Sequence, residues 1–407
     1  MTMEYDVIVI GGGMVGASLA RALSGCGLKI AVLESWPLDS KRQPSYDDRA
    51  IALAYGSRLI LEDMGLWSPL ALRVAPIRDI HVSDRGQFGF TRLNHVAQQV
   101  EAFGYVVTAH DLGAVLLKDI RSHDDVVLYC PARMISFQID DAGVRVQVSI
   151  DGQTRTLAGK LIVAADGAQS AVRKNLGIGA REWHYGQAAI VANLTPGIGF
   201  QGATAFERFT DTGPIAMLPL PDKRYGMIWT VDQRYLDEIV SLNDQAFLER
   251  VQRRFGFRLG RFQQAGRRAN YPLYLMLAQD IVRHRAVLIG NAAHAVHPIT
   301  GQGFNLGIRD VAVLAEVLRS AHRSGTDVGD IGILRKYANR RKKDQQTVAL
   351  VTDGLVRLFT NPLWPIELGR NIGMLALDAI PLGKYLLARQ FMGFGGHLPK
   401  PSGECFE

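Results

Sequence analysis

Near its start the chain carries the run Gly11-Gly12-Gly13-Met14-Val15-Gly16, directly after the apolar segment Asp6 to Ile10 and leading into the alanine-rich stretch Met14 to Leu23. Few sequence features restrict a fold as much. The first segment reads as a buried strand, the stretch after the glycines as a helix, and Lys29 to Leu33 as a second strand, which together make a βαβ unit. Within it each glycine has a task. Gly11 allows the tight turn, Gly13 lets a pyrophosphate approach the backbone, and Gly16 lets helix and strand pack closely. Met14 and Val15 open the helix, whose unpaired N–H groups and partial positive charge suit phosphates. Glu34, at the end of the second strand, is placed to accept hydrogen bonds from a ribose 2′-hydroxyl. The pattern predicts a dinucleotide site and favours FAD or NAD over a 2′-phosphorylated nucleotide.

At 407 residues the chain exceeds what one hydrophobic core usually organises. A second unit is therefore expected, and the pattern says where. The segments Arg78 to Ser83 and Phe88 to Leu93 flank a turn at Asp84-Arg85-Gly86, and further β-type runs cover Ala188 to Leu194, Ala203 to Phe209, Ile215 to Leu220 and Tyr225 to Val231. The predicted architecture is α/β, a Rossmann-like dinucleotide-binding domain (1–74, 96–180 and 281–340) with an inserted antiparallel-sheet substrate domain (75–95 and 181–280) and a C-terminal helical region (341–407). In the last region apolar runs are broken by Arg357, Glu367, Arg370, Asp378, Lys384 and Arg389, so no stretch reaches the roughly 18 to 20 uncharged residues of a membrane span. Packing of these helices on the core is expected, with peripheral membrane contact as the alternative.

Net charge is +7, with one dense basic run at Arg340, Arg341, Lys342 and Lys343 that reads as a solvated helix face. Basic stretches interleaved with aromatics are absent, so no nucleic-acid partner is expected. Cys26, Cys130 and Cys405 lie far apart, giving neither a disulfide framework nor a zinc site. His294 and His297 lack a nearby third ligand and read as turn residues, so no metal is expected. With no charged-then-apolar leader before the first strand, a cytoplasmic location is expected, with a peripheral position at the inner face of the membrane as the alternative.

Two later segments decide between FAD and NAD. Leu288 to Gly307, which contains Gly290-Asn291, Pro298 and Gly301-Gln302-Gly303-Phe304-Asn305, resembles the strand, turn and helix by which FAD-dependent aromatic hydroxylases hold the ribityl chain and isoalloxazine ring. Asp166-Gly167-Ala168-Gln169-Ser170-Ala171-Val172-Arg173 resembles that family's Asp-Gly motif near the pyrophosphate. With the first fingerprint they follow the family's order along almost the whole chain. Arg49, in Asp47-Asp48-Arg49, matches an arginine that in the family lies against the cofactor; an ion pair with Asp47 or Asp48 is the alternative. Gly301 and Gly303 are expected to leave backbone N–H groups uncovered at a helix start, where they stabilise negative charge on the reduced ring. The family mostly carries aspartate where this chain has Asn291, an amide that keeps one acceptor oxygen without the charge.

Within the family, His81 to Gly86, Ala205 to Thr210, Gly213 to Pro219 and Gly301 to Asp310 are most similar to the ubiquinone-biosynthesis branch, in particular the 2-polyprenyl-6-methoxyphenol hydroxylase subfamily, which tolerates asparagine at position 291. The resemblance implies FAD, NAD(P)H as electron donor, O2 as co-substrate, a hydroperoxide at the flavin C4a carbon and a polyprenylated phenol as substrate. A biosynthetic complex is a possible partner. The alternatives are hydroxylation of another small phenol, a flavin-dependent lipid reductase and a non-catalytic flavoprotein scaffold. Phe206, Phe209, Met217 and Trp229 are the expected pocket wall or, equally, plain core. No general base and no oligomeric state are read from the sequence.

Overall fold

A computed structural model describes residues 4–37, 47–197, 200–361 and 363–394. Cys405 lies outside them, while Cys26 Sγ donates to the Ser24 carbonyl at 3.6 Å and Cys130 Sγ to the Trp36 carbonyl at 3.1 Å. Five parallel strands form the centre of the eight-stranded first sheet, in the spatial order Ala286–Leu288, Gln153–Ala164, Tyr5–Ile10, Ile30–Leu33 and Val126–Tyr129, and Ala132–Ile139, Val144–Ile150 and Val282–Arg283 add to it antiparallel. Parallel strands sheltered on both faces read as continuous apolar runs, and Val7, Ile8 and Val9 are all fully buried. The helices Met14–Leu23, Ala109–Ile120 and Gln302–Arg323 pack together over this sheet. The last of them begins at Gln302, inside the glycine turn.

The second sheet has nine strands and holds both β regions read from the sequence. The hairpin Asp79–Asp84 and Phe90–Asn94 joins it through parallel pairing of Asp79–Asp84 with Thr204–Phe209. Ile215–Leu220 and Arg224–Asp232 continue it antiparallel, followed by the long strand Ala180–Pro196. Between the two large sheets lies a small one that the sequence reading did not separate, formed by Ala50–Ala54, Gly104–Thr108 and Ala75–Ile77. It touches the strand Ile215–Leu220 on one side and the helix Gln302–Arg323 on the other.

The chain then runs through three helices, Ile331–Thr360, Trp364–Ala379 and Pro381–Phe391. The first is continuous through residue 341. Arg341 is only 1 % exposed, so the basic run is not a uniformly solvated face: Lys342 and Lys343 are exposed, whereas Arg341 turns inward. The second helix latches onto the hairpin by a buried ion pair between Arg370 and Asp84 at 2.8 Å and by the Gly89 N–H donating to Asn371 Oδ1 at 2.9 Å. Among the described residues no helix is long and apolar enough to cross a membrane.

Candidate active site

The first glycine turn is shaped by contacts that no larger residue tolerates. Gly11 has φ +104°, and a Cβ there would lie 2.4 Å from the Ala165 carbonyl oxygen; at Gly16 it would lie 1.9 Å from the Gly11 carbonyl oxygen. The turn is thus pressed against the end of the strand Gln153–Ala164 and the Asp166-Gly167 turn that follows it. The Gly12 N–H donates to Glu34 Oε2 at 3.0 Å and the Trp36 N–H to Oε1 at 2.8 Å. Burial raises the pKa of Glu34 against the pull of these donors, and each oxygen keeps a second lone-pair direction. The helix Met14–Leu23 starts at Gly13 with no side-chain cap.

Asp166 Oδ2 accepts from the N–H groups of Ala171 and Val172 at 2.8 and 3.2 Å, while its Oδ1 is buried without a partner. A buried carboxylate oxygen with no donor costs about 1–3 kcal/mol, so this atom marks a place where a donor belongs. Nothing lies within 4 Å of where a Cβ would stand on Gly167 or Gly303. An uncapped helix start, an orphaned carboxylate oxygen and two open glycines fit FAD, whose hydroxyls and phosphates would supply what these groups lack.

The later turns are bound to the first by identifiable contacts. Arg173 donates to the Ala168 carbonyl at 2.8 Å and to the Ala292 carbonyl at 2.9 Å, tying the Asp166 turn to the Gly290–Ala292 turn, where Asn291 is exposed. Val15 is clamped between Gly290 and Gly307, where a Cβ would approach its methyls to 3.0 and 2.9 Å. Gly301 takes a left-handed φ of +64°, and its N–H donates to the Pro298 carbonyl at 2.9 Å. That N–H is not uncovered, contrary to expectation; the turn itself consumes it.

Asn305 is 1 % exposed. Its Oδ1 accepts from the Ala54 N–H at 2.8 Å and the Ser57 hydroxyl at 2.7 Å, and its Nδ2 donates to the carbonyls of Ala52 at 2.8 Å and Gly301 at 2.7 Å. All four hydrogen-bonding directions of the amide are used within the protein, so this side chain positions the turn. Gln302 is buried and Phe304 packs on the main core. Arg49 Nε lies 3.3 Å from Asp47 Oδ1, and its guanidinium sits 5.2 Å from the Tyr271 ring centroid. The ion-pair alternative is thus formed, with a cation–π contact added.

Beneath the turn lies a charge cluster that the sequence reading missed. Asp310, fully buried, accepts from the Gly290 N–H at 3.0 Å and His294 Nε2 at 2.6 Å on Oδ2, and from Arg341 Nε at 2.7 Å and Gln345 Nε2 at 3.0 Å on Oδ1. Burial opposes its ionisation, but His294 and Arg341 outweigh burial and hold it well below the usual carboxylate range. Arg341 also meets Asp344 at 2.6 Å, and Arg309 reaches the same carboxylate at 2.9 Å. His297 Nδ1 accepts from the Ile299 N–H at 3.2 Å, and burial pulls its pKa down to about 4. Both histidines therefore serve the turn.

An apolar pocket opens where Pro298, Gly301 and Asn305 face the second sheet across Ala52. Strand alternation decides its walls. Thr204–Phe209 and Ile215–Leu220 turn Ala205, Glu207, Ala216 and Leu218 toward the pocket, while Met217 and Trp229 face the other way, into a core under the helix Asp244–Phe255. Met217 and Trp229 are therefore core and no part of the wall. Phe206 belongs to that core and reaches the pocket rim, and Phe209 stacks on Phe359 at 3.5 Å. Large apolar residues drew attention, but the opposite parity carries the small ones that leave room. Glu207 was visible as a lone charge between Ala205 and Phe209 on that parity.

A family model described as FAD binding domain matches residues 4–350. The ubiquinone hydroxylase UbiL of Rhodospirillum rubrum is 38 % identical over 389 residues, covering 95 % of this chain and 89 % of its own. The human mitochondrial ubiquinone biosynthesis monooxygenase COQ6 is 30 % identical, covering 94 % of this chain and 92 % of its own. Among solved structures, the p-nitrophenol 4-monooxygenase PnpA of Pseudomonas putida superposes with a TM-score of 0.82 at 19 % identity over 98 % of this chain and all of that one. PqsL of Pseudomonas aeruginosa gives 0.75 at 22 % identity, covering 91 % and 99 %.

Proposed function

Since this chain belongs to the FAD-binding-domain family of aromatic-ring hydroxylases, we propose that it hydroxylates the ring of a polyprenylated phenol in ubiquinone biosynthesis. FAD is its cofactor, NAD(P)H its electron donor and O2 its co-substrate. The bound flavin, once reduced, supplies with O2 the electrophilic oxygen. The turn Gly11 to Gly16 with Met14 and Val15 holds the pyrophosphate, Glu34 the adenosine ribose, and Asp166-Gly167, Asn291 and Arg49 the middle of the cofactor. The segment Pro298, Gly301, Gln302, Gly303 and Phe304 borders the ring, with Asn305 fixing its shape.

One observation carries the reading: the pocket that begins at Pro298 and Gly301, in the turn assigned to the flavin ring, is walled mainly by Ala, Leu, Ile and Phe side chains. An apolar lining of this kind suits an aromatic ring and disfavours the water that would divert the reactive oxygen. An isoprenoid tail requires a lipid source, and an apolar surface on the last two helices supports peripheral membrane contact: Trp364 is 72 %, Leu382 67 % and Leu386 59 % exposed. The helix Pro381–Phe391 puts Phe391 into the pocket and Leu382 and Leu386 on its outer face.

Deletion of the gene tests the reading. Cells should accumulate a prenylated phenol lacking one ring hydroxyl, identified by mass spectrometry, and the purified protein should be yellow with bound FAD. Normal quinone levels in the deletion strain would overturn the pathway, and a colourless protein that takes up no FAD would overturn the chemistry.

A further inference from the structure

Among the described residues that line the pocket, one side chain is ionisable, Glu207 on the strand Thr204–Phe209. It is half-buried, and its carboxyl makes no hydrogen bond or ion pair with any described residue. The buried carboxylates Asp310 and Asp84 are satisfied, the first by four donors and the second by Arg370. An unpartnered carboxyl set in an apolar lining is costly, and the group that would complement it is a hydroxyl in the space it faces. We propose that Glu207 is the general base of the hydroxylation, accepting the proton of the substrate's phenolic hydroxyl. This rests on the function proposed above.

The step balances. The phenol O–H bond breaks, the proton goes to the Glu207 carboxylate and the electron pair stays on the ring oxygen, enriching the ortho and para carbons. One of those carbons takes an oxygen atom from O2, with two electrons from NAD(P)H by way of FAD, and its displaced proton restores the ring hydroxyl. The second oxygen atom leaves as water; that water and the new hydroxyl together take up three hydrogens, one given back by Glu207, one delivered with the electrons of NAD(P)H and one proton from solvent. Desolvation in the apolar pocket pushes the Glu207 pKa up to about 8, close to the value of about 10 for a free phenol, so the transfer is far less uphill than to an ordinary carboxylate.

Other ionisable groups on the packed elements do not share this range. His81, on the reverse face of the sheet, is lowered to about 4 by burial and the Arg258 charge, and His297, beside Pro298, is lowered to about 4 by burial. Arg208 and Arg258 share the His81 face, Arg309 is paired with Asp344, and Asp84 is paired with Arg370.

The experiment compares wild type, Glu207→Gln and Glu207→Asp, each loaded with FAD, using 2-geranylphenol as probe. Wild-type kcat/KM should rise with pH to a plateau above about 8. Glu207→Gln should lose about 10²- to 10⁴-fold at that plateau and lose the pH dependence, while Glu207→Asp keeps the dependence at a lower rate. A second readout needs no turnover. A raised carboxyl pKa means the folded state prefers the proton, so this residue costs wild type stability increasingly as pH rises from the unfolded value to the folded one. The Tm of Glu207→Gln should therefore exceed that of wild type at pH 8.5 and match it below pH 4.5. A pH limb that survives in Glu207→Gln, or an equal loss at every pH, overturns the assignment. Failure of the function proposed above shows separately, as a wild type that binds no FAD or hydroxylates no phenol.

Discussion

Replacing Asp310 by asparagine tests whether the buried charge cluster sets the shape of the cofactor turn. The substitution is nearly isosteric, so its cost comes from hydrogen bonding. Each Asp310 oxygen faces two donors, Gly290 N–H and His294 on one side and Arg341 and Gln345 on the other. An asparagine has one NH2 group, and in either orientation that group confronts two donors and leaves Arg341 or the His294 turn without its acceptor. Breaking one partner of a buried ion pair costs about 3–5 kcal/mol. With an unfolding entropy of about 2 cal/mol/K per residue over this chain, the loss corresponds to about 4 to 6 °C in the Tm of the apoprotein. The apo form is required because bound FAD adds its own stabilisation. The pH dependence adds a second check. The Asp310 pKa is held well below its unfolded value, so its contribution is complete above about pH 4 and fades below it. The gap between wild type and Asp310→Asn should therefore be full at pH 7 and narrow in acid. A shift under about 1 °C at pH 7 would refute the reasoning.

Three further outcomes follow from the geometry. Gly303→Val should abolish FAD uptake, followed by flavin absorbance, yet leave the apoprotein Tm within about 1 °C, because open space surrounds that position and such substitutions usually stay within about 0.5 kcal/mol. Ala216→Phe should fill the pocket, so that the protein stays yellow but hydroxylation falls; undiminished turnover would place the substrate elsewhere. Charging the outer face of the last helix with Leu382→Asp and Leu386→Asp should reduce co-sedimentation with anionic vesicles at least tenfold, since burying each leucine contributes about 1.5–3 kcal/mol.

The first βαβ unit was legible because its constraints are local. Gly11 and Gly16 are glycines for lack of space against residues the strand–turn–helix pattern already places, and Glu34 follows from the same register. Each of the three distant turns carries its own motif and could be read separately, and contacts of Arg173 and Val15 link them in the fold. Features that depend on long-range partners were hidden. Arg341 looks like its exposed neighbours Lys342 and Lys343 until Asp310 is found opposite it. The small sheet of Ala50–Ala54, Gly104–Thr108 and Ala75–Ile77 is made of short strands whose pairing spans other elements, which periodicity cannot convey. In the second sheet six strands were legible, whereas Phe262–Ala265, Ala269–Ala278 and His294–Ala295 were not, and the choice of face requires knowing what covers each side.

That choice of face connects the fold to the chemistry. One side of Thr204–Phe209, Ile215–Leu220 and Arg224–Asp232 carries Phe206, Met217 and Trp229 into a dense core under the helix Asp244–Phe255, which fixes the sheet. Because that core anchors the strands, the other side can carry Ala205, Ala216 and Ile228 and leave a cavity against Pro298 and Gly301 without collapse. A cavity so walled has a low dielectric, and there the partial charge of the helix start at Gly301 and the proton on Glu207 act with little screening. The same alternation that hides Trp229 therefore gives the pocket both its dryness and its one carboxyl, and a sheet shifted by one residue would have neither.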